Sequence, residues 1–580
     1  MFLAYGGPYL FHLHRLTKLL VFVITLSRVP KKLTKMDAYS MSISSASRRV
    51  TSKLYQDLKT ARLYTFDRSH KELGIMDRVL QFESLDPNRK PHIGIVGAGF
   101  AGLRCADILI RYGFRVTILE ARNRLGGRIH QERLPSGNLI DMGANWIHGT
   151  DDNPILDLAK ETKTHTGVFD SESYVFDEDG TLLSAQEGEK FSTVMWNIIE
   201  EAFEYSEKHG TQIDADKTLL DFFKEQILKQ IPDTLEGYER QRKFVLQMAD
   251  LWGAFVGSPV ETQSLKFFWL EECIDGENLF CAGTYHKILE RVAKPAVDGA
   301  DIRYGTRVSE IYGKSTSPNG TPRARTADGQ ILEFDELVVT TPLGWLKQNT
   351  QAFHPPLPDR LSKAIQNIGY GCLEKVYISF PTAFWLIPDA NGRKVQGFCQ
   401  WLSPNYSKDT NPAGWTNEIV ELASMGPSSH PTLLFYTYGD ESRHITSTLR
   451  SLPSQKEKLD FLFNFFKPYY SRLPSYDENN PDCHPVVAVA TDWLGDDLAG
   501  NGSYANFQKG LKEGDKDIEI MRQGILGEGI WLAGEHTAPF VALGTVTGAY
   551  WSGEGVAKEV AGSYGKRMAE KLGKEAAITN

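Results

Sequence analysis

The clearest hydrophobic pattern in the chain lies between residues 92 and 120, where two short apolar runs flank a glycine-rich turn. The first run covers residues 93–96 and leads into Gly-Ala-Gly-Phe-Ala-Gly at residues 97–102. Apolar residues then recur at helical spacing to about Tyr112, and a second run, Arg115–Leu119, ends at Glu120. A strand, a tight turn, a helix and a second strand that ends in an acid predict a βαβ unit that binds a dinucleotide.

The glycines and the acid of this unit each have a physical reason. Gly97 permits the tight turn, Gly99 lets the backbone approach a pyrophosphate, and Gly102 lets the helix pack closely on the strand. The N–H groups and the dipole at the helix N-terminus favour phosphate. The carboxylate of Glu120 can accept hydrogen bonds from both ribose hydroxyls and disfavours a 2′-phosphate, so NADP is not expected. The motif alone does not separate NAD from FAD.

Beyond this unit, the hydrophobic pattern predicts a helical region followed by scattered strands and helices. From residue 155 to about 268, apolar positions recur mainly at helical spacing. The pattern predicts strands at 302–308, 332–340, 375–380, Thr432–Tyr438 and 530–533, and helices at 455–466 and 545–560. We find no internal repeat.

Composition narrows the class of protein. A chain of 580 residues is too long for one hydrophobic core, so we expect at least two domains. The formal net charge of −9 and the lack of a dominant lysine-rich patch argue against a nucleic-acid partner. The 6 cysteines include no C-x-x-C pair, and no zinc-like cluster of His and Cys occurs, so we expect reduced thiols and no metal site.

The N-terminal segment is basic, with no acidic residue before Asp37, and residues 19–26 form an apolar run too short to cross a bilayer comfortably. Three interpretations stay open: a poorly ordered extension or a misplaced start codon, with Met36 or Met41 as possible true starts; a mitochondrial or secretory signal; and a membrane anchor. We expect a partly disordered extension over residues 1–90, a cytoplasmic protein, and no stable membrane insertion.

After Glu120 the chain continues Ala-Arg-Asn-Arg-Leu-Gly-Gly-Arg to residue 128. Together with the glycine motif, this sequence resembles the flavin-containing amine oxidase family, which includes monoamine oxidases, polyamine oxidases, L-amino-acid oxidases and lysine-specific histone demethylases. The resemblance covers roughly residues 92–562 and implies FAD, with Arg122 or Arg128 near its phosphates. An arginine fork can bind phosphate in a bidentate way.

The resemblance also implies the fold. We expect an α/β architecture in which a discontinuous, Rossmann-like FAD-binding domain carries an α+β substrate-binding domain of the amine oxidase type. The FAD-binding domain is expected over residues 91–154, 276–345 and 500–565, the substrate-binding domain over 155–275 and 346–499, and a C-terminal tail over 566–580.

A second stretch that resembles the family has Gly-Glu-His-Thr at residues 534–537 and Gly-Thr-Val-Thr-Gly at 544–548. By that match Glu535 faces the ribityl or phosphate region, and the backbone at Val546 meets the isoalloxazine edge. A helix that begins near Thr545 can stabilise negative charge on a reduced flavin. The cofactor contacts implied are Gly97, Ala98, Gly99, Gly102, Glu120, Arg122, Gly126, Gly127, Arg128, Gly143, Ala144, Asn145, Trp146, Val308, Trp493, Glu535, Thr545 and Val546.

The segment around Lys375 matches the strand that carries the active-site lysine of the family. In the family this lysine holds a water beside flavin N5, and burial would lower its pKa. By the same resemblance Tyr504 forms one wall of an aromatic cage that orients the substrate amine, with Phe435 as the second wall. Ser503 stands where monoamine oxidases carry the cysteine that is joined to FAD, so we expect FAD to be bound non-covalently.

The run Gly-Ala-Asn-Trp-Ile-His-Gly at residues 143–149 resembles polyamine oxidases more than monoamine oxidases or histone demethylases. It implies that Trp146 and His148 line a substrate tunnel. Asp141 departs from the family, which more often has Glu there. We therefore predict an FAD-dependent, polyamine-oxidase-like enzyme that transfers hydride from a small-molecule amine to flavin and reduces O2 to H2O2. The predicted catalytic residues are Lys375, His148 and Tyr504.

Three alternatives stay open. An L-amino-acid oxidase would need a cation for the substrate carboxylate, and the sequence identifies none. A histone demethylase would need partner-binding additions, and we find no long coiled-coil insertion. A flavin-bound protein without turnover would not need Lys375 and Tyr504, so these two residues argue against this alternative.

Overall fold

The computed structural model of the chain describes residues 90–169 and 174–564. The predicted N-terminal extension up to residue 89 and the predicted tail 566–580 lie outside the described residues. The strands are β1 (His92–Val96), β2 (Arg115–Leu119), β3 (Gln131–Arg133), β4 (Leu139–Asp141), β5 (Trp146–Ile147), β6 (Tyr174–Phe176), β7 (Leu279–Phe280), β8 (Asp301–Arg303), β9 (Val308–Tyr312), β10 (Arg323–Thr326), β11 (Ile331–Glu333), β12 (Glu336–Val339), β13 (Phe353–His354), β14 (Gly369–Tyr370), β15 (Leu373–Ser379), β16 (Phe398–Trp401), β17 (Asn417–Glu421), β18 (Thr432–Tyr438), β19 (Val487–Ala490), β20 (Ala505–Asn506) and β21 (Ile530–Leu532). The helices are α1 (Phe100–Arg111), α2 (Pro154–Glu161), α3 (Ala185–His209), α4 (Leu219–Gln230), α5 (Tyr238–Ala249), α6 (Gly253–Val256), α7 (His286–Gly299), α8 (Leu343–Gln348), α9 (Asp359–Asn367), α10 (Gly439–Ser451), α11 (Gln455–Tyr470), α12 (Gly514–Gln523) and α13 (Val546–Ser563).

The predicted βαβ unit forms the middle of a parallel sheet. β1 and β2 run parallel, with Gly94 opposite Thr117, and α1 connects them. The sheet has the order β21-β12-β1-β2-β8, and all neighbouring strands are parallel. Its strands are apolar and largely buried, as is typical of a parallel sheet covered by helices on both faces. The predicted α/β fold is confirmed.

Helices cover the two faces of this sheet. On one face α1 packs against α7 and α13, with Leu103 and Val556 in a shared apolar cluster. On the other face α9 and α12 pack together, with Leu361 and Met521 in the same cluster as Leu337 of the sheet. Apolar burial on both faces therefore fixes the sheet in the interior.

The segment from residue 346 to about 368 belongs to this second layer, although the sequence analysis assigned residues 346–499 to the substrate-binding domain. Leu346, Leu361 and Ile365 are buried in the cluster that contains Leu337. An amphipathic helix such as α9 reveals from its sequence that one face is covered, but not which sheet covers it. The remaining predicted domain boundaries stay predictions.

The second large sheet is mostly antiparallel and has the order β19-β15-β18-β17-β16-β6, with β16 and β6 as its parallel pair. α11 packs behind it, where Phe466 contacts Phe435 with ring centroids 4.2 Å apart. Residues of α3 to α6 form a separate apolar cluster within the predicted helical region.

Two predicted strands are each divided in the structure. The run 302–308 forms β8 and β9, which are separated by Gly305 at φ +61°, a left-handed conformation that interrupts a strand. The run 332–340 forms β11 and β12, which belong to different sheets. At the break, the N–H of Asp335 donates to the carbonyl of His92. A continuous apolar run does not show where a chain changes sheets.

All 6 cysteines lie in the described part of the chain and none forms a disulfide. Within residues 90–169 and 174–564, no helix combines the length and the apolar character needed to cross a bilayer.

Substituting Gly102 with Ala should destabilise the protein, although Gly→Ala inside a helix usually stabilises by about 1 kcal/mol. A Cβ at residue 102 would overlap the carbonyl oxygen of Gly97, so α1 would have to move away from the turn. We expect a lower Tm and a lower flavin content per protein. The matched control is Gly555→Ala in α13, where a Cβ meets no atom within 4 Å. Wild-type Tm and flavin content in Gly102→Ala would contradict this packing argument.

Candidate active site

The carboxyl ends of four parallel strands meet at a cavity of about 750 Å³. Gly97 follows β1, Glu120 follows β2, Thr340 follows β12 and Glu535 lies beyond β21, and all four line the cavity. Lys375 of the antiparallel sheet lines it as well. Ligands of α/β sheets bind in crevices at this edge, so the cavity is the candidate active site.

This cavity is lined by most of the site residues that the sequence analysis predicted. They are Gly97, Gly99, Glu120, Arg122, Gly126, Gly127, Arg128, Gly143, Ala144, Asn145, Trp146, His148, Val308, Lys375, Trp493, Tyr504, Glu535, Thr545 and Val546. Ala98 and Gly102 support the glycine turn from behind the cavity wall. Phe435 lies elsewhere, as described below. The individual roles of these residues stay predictions.

The N-terminus of α1 faces the cavity. Gly99 is its N-cap, no side chain caps the first turn, and a Cβ at residue 99 would meet no atom within 4 Å. Glu120 holds the turn in place, because its carboxylate accepts hydrogen bonds from the N–H groups of Ala98 at 2.7 Å and Arg122 at 2.8 Å. Each carboxylate oxygen keeps a lone pair for a further donor. The arrangement fits a pyrophosphate at the helix and a ribose at the acid.

Both arginines predicted near the phosphates are paired with carboxylates. Arg122 forms an ion pair with Asp496 at 2.7 Å. Arg128 lies 3.1 Å from a carboxylate oxygen of Glu535 and donates to the Ser503 carbonyl at 2.5 Å. The N-terminus of α1, whose first turn no side chain caps, is a further group of this site that favours phosphate.

Glu535 gives an independent test of whether a cofactor fits. Its Oε1 accepts hydrogen bonds from Arg128 and from the N–H of Ala505. Its Oε2 is buried and has no hydrogen-bond partner among the described residues. Leaving a buried carboxylate oxygen without a donor is costly. The hydroxyl-rich ribityl chain of FAD offers such a donor, so the residues present fit this cofactor.

Lys375 is buried in the cavity wall, with 5% of its surface exposed. Its Nζ donates to the carbonyl of Asp141 at 3.3 Å and to the carbonyl of Gly143. Burial lowers the pKa of Lys375, and the negative charge of the Asp141 carboxyl acts in the opposite direction. The neutral amine form of Lys375 is therefore favoured at this position. A side chain that accepts a proton must be in this form.

Aromatic side chains form the wall beside Lys375. The hydroxyl of Tyr436 accepts hydrogen bonds from the side chains of Asn145 and Trp146, both at 2.9 Å. The Trp146 ring stacks on Phe398, with centroids 5.9 Å apart and planes at 13°. All of these residues line the cavity, so ring faces and edges are available to a bound amine.

Phe435, predicted as the second cage wall, does not line the cavity. Its side chain is fully buried on the opposite face of β18, among Trp401 and Phe466. Successive residues of a strand point to opposite faces, and Tyr436 is the neighbour that faces the cavity. Both faces of β18 are buried, so alternation in the sequence could not show which residue faced the site.

Tyr504 and His148, the other predicted catalytic residues, both line the cavity. The Tyr504 hydroxyl donates to the carbonyl of Phe255 at 2.5 Å, which fixes the ring. The His148 Nδ1 lies 3.3 Å from the Oδ1 of Asn278. Burial lowers the pKa of His148, whereas the contact with Asn278 opposes this shift, so the neutral imidazole is favoured.

The sequence analysis missed three further acidic residues of the cavity. Glu271, Glu272 and Glu418 line the part formed together with Lys375, Tyr436 and Tyr504, which we call the substrate half. Burial raises the pKa of both Glu271 and Glu418 to about 7. No local motif marks these carboxylates, because the strand register and the helical segment bring them to the cavity.

The sequence model of the family described as flavin containing amine oxidoreductase matches residues 100–561. The chain belongs to the flavin-containing amine oxidoreductases. The predicted family and the predicted cofactor, FAD, are therefore confirmed.

Several relatives extend this comparison. Polyamine oxidase 2 of Arabidopsis thaliana is 30% identical over 480 residues, which cover 80% of this chain and 87% of the relative. Protein FLOWERING LOCUS D of Arabidopsis thaliana is 27% identical over 77% of this chain, which spans only 52% of that relative. A solved double mutant of putrescine oxidase superposes with a TM-score of 0.58 at 19% identity, covering 81% of this chain and 99% of the other, and shows the same fold.

We predict that FAD is bound without a covalent link. Ser503 lies in the cavity wall, where its hydroxyl accepts a hydrogen bond from the N–H of Leu373 at 3.2 Å, and a serine cannot form a thioether. Precipitating the purified protein with acid should leave the flavin absorbance in the supernatant. Flavin absorbance that stays with the washed pellet would contradict this prediction.

Proposed function

We propose that the protein oxidises polyamines in preference to monoamines and amino acids. The observation that carries the proposal is a set of three carboxyl groups, those of Glu271, Glu272 and Glu418, in the wall of the substrate half. An ammonium group bound beside a buried carboxyl group favours its ionised form, so a substrate with several ammonium groups fits this wall better than one with an anionic group. The similarity to polyamine oxidase 2 supports the same assignment.

The arginines of the cavity argue against an amino acid as substrate. Arg122, Arg128 and Arg307 line it, and each is paired with a carboxylate, at 2.7, 3.1 and 2.7 Å. Among the described lining residues, no arginine is therefore left to bind a substrate carboxylate. This favours an amine over an L-amino acid.

When held by the N-terminus of α1, Glu120 and Glu535, FAD would supply the redox chemistry, which is acceptance of a hydride equivalent from the carbon next to the amine nitrogen and reduction of O2 to H2O2. Tyr436 and Tyr504 orient the amine through their rings. Lys375, whose pKa is lowered by burial, accepts or donates a proton at Nζ through a neighbouring water. The neutral His148 hydrogen-bonds a substrate nitrogen. The oxidised substrate is an imine, which water hydrolyses to an aldehyde and an amine.

Replacing Lys375 with Met should retain FAD but slow the reaction, because the lysine moves protons and does not hold the cofactor. The loss of one such role typically costs about 10²–10⁴ in rate. In the wild type, activity should fall as the pH drops through the lowered pKa of Lys375, because protonation removes the acceptor. In the Met variant, kcat should not show this decrease at low pH. A variant that binds FAD and has wild-type kcat at every pH would exclude the role.

A panel of amines tests the substrate assignment. We expect the purified enzyme to release H2O2 from spermine, spermidine or their acetylated forms more efficiently than from monoamines, L-amino acids or a methyl-lysine peptide. Activity should rise with pH as the reacting nitrogen loses its proton. Turnover of L-amino acids or of the peptide, with none of the polyamines, would refute the polyamine assignment and leave the family unaffected.

A further inference from the structure

One short segment of the chain supplies two carbonyl groups that hold the Nζ of Lys375. Asp141 is the last residue of β4, and its carbonyl and that of Gly143 each accept a hydrogen bond from the lysine. The hydroxyl of Tyr377 donates to the same Asp141 carbonyl at 2.6 Å. The position of the lysine amine therefore depends on the groups that fix this segment.

The side chain of Asp141 joins this segment to two other elements. Its Oδ1 accepts a hydrogen bond from the Nε2 of Gln131 on β3 at 2.6 Å. The N–H of Tyr285 donates to Oδ1 at 3.2 Å and to Oδ2 at 3.1 Å. Tyr285 is the N-cap of α7, so the carboxylate lies at the positive end of that helix dipole. Asp141 is buried and is not among the residues that line the cavity.

The charge of the Asp141 carboxylate also acts on Lys375. Burial lowers the pKa of Lys375, and the carboxylate opposes this shift. Burial raises the pKa of Asp141, whereas the hydrogen bond from Gln131 and the charge of Lys375 lower it. Two groups that influence each other in this way titrate as a pair.

Burial raises the pKa of the titratable groups that face this pair from neighbouring elements. Phenols and a thiol therefore stay neutral, namely Tyr377 on β15, Tyr436 on β18, Tyr285 at the start of α7 and Cys281 after β7. Two carboxyl groups have a pKa raised to about 7, Glu374 on the opposite face of β15 and Glu418 two strands away on β17. Both are retained when Asp141 is substituted, so a difference from the wild type reports on the pair.

We propose that Asp141 is a positioning residue for Lys375, because its side chain fixes the carbonyl groups that bind Nζ and its charge controls how readily Nζ takes up a proton. This inference rests on the proposed role of Lys375 as proton acceptor and extends it to a residue outside the cavity wall. An amide at the end of β4 could accept the same N–H groups at the start of α7, but only a carboxylate carries the charge.

The substitution Asp141→Asn removes the charge and keeps an oxygen that accepts from the N–H of Tyr285. The kcat of the holoenzyme is measured against pH with the amine that releases H2O2 fastest, because kcat reports groups in the enzyme–substrate complex. Without the carboxylate, burial acts unopposed and lowers the pKa of Lys375 further. We expect the decrease in kcat at low pH to move to lower pH by about one pH unit or more. The FAD content should match that of the wild type.

Two further variants act on the same carboxylate. Gln131→Leu removes a donor to Asp141 and leaves both titrating groups in place. The carboxylate is then less stabilised, so we expect a smaller shift of the kcat profile in the same direction. Asp141→Glu keeps the charge and should show the decrease near the wild-type pH, even where the longer side chain lowers kcat. If Asp141→Asn does not fold, an unchanged profile in Gln131→Leu would overturn the proposal.

Glu421→Gln is the matched control. Glu421 is a buried carboxylate that accepts hydrogen bonds from the N–H groups of Gly397 and Ala423 and is not among the residues that line the cavity. This variant should keep the wild-type pH profile. The double variant Lys375→Met/Asp141→Asn should have the profile of Lys375→Met, because no lysine is left for the charge to act on.

Two results with folded variants would overturn the proposal: a wild-type pH profile in Asp141→Asn, or an equal shift in Asp141→Asn and Asp141→Glu. An effect of Asp141→Asn on the profile that persists in the Lys375→Met background would also overturn it, since the charge would then act on another group. Failure of the proposed role of Lys375 is a separate result, which would appear as wild-type kcat at every pH in Lys375→Met alone.

Discussion

Hydrogen bonds to the backbone carbonyls of residues 141–143 connect the antiparallel sheet, and the segment that follows its last strand, to the cofactor side of the cavity. The Asp141 carbonyl accepts from the Tyr377 hydroxyl at 2.6 Å and from the Lys375 Nζ at 3.3 Å. The Met142 carbonyl accepts from the indole of Trp493 at 3.1 Å. These carbonyls lie at the end of β4 and directly after it, on the cofactor side, whereas two of the donors project from β15. Each bond lies in a region of low dielectric, where an unmade partner would be costly.

Lys375 takes part in this connection and is also the candidate proton carrier, and its burial links the two roles. A lysine that donates to backbone carbonyls is held in place without a directly bonded carboxylate, so desolvation dominates its pKa. Burying Lys375 and Glu418 in one cavity wall costs free energy that the apolar cluster behind the sheet must offset. Groups with pKa values shifted by burial are concentrated at functional sites, and this wall follows that tendency.

The sequence predicted the parts of the molecule that depend on local signals. The turn at Gly97, the helix after it and Glu120 all lie within about thirty residues, so their spacing carried the information. The other features of the site depend on tertiary contacts, which local sequence patterns do not show. Phe435 and Tyr436 are adjacent aromatic residues on a strand buried on both faces, and only the fold shows which of them faces the cavity. Arg122 and Arg128 were expected at phosphates, but their carboxylate partners, Asp496 and Glu535, lie hundreds of residues away.

The register of the antiparallel sheet determines which side chains lie next to one another in the cavity wall, and the sequence pattern did not show this register. Lys375, Tyr436 and Glu418 are separated along the chain, and they come into one row because three strands pair at fixed positions. A slip of one residue in β17 would move Glu418 to the opposite face, into the apolar cluster that contains Ile419. Apolar burial of that opposite face therefore holds the carboxylate on the cavity side.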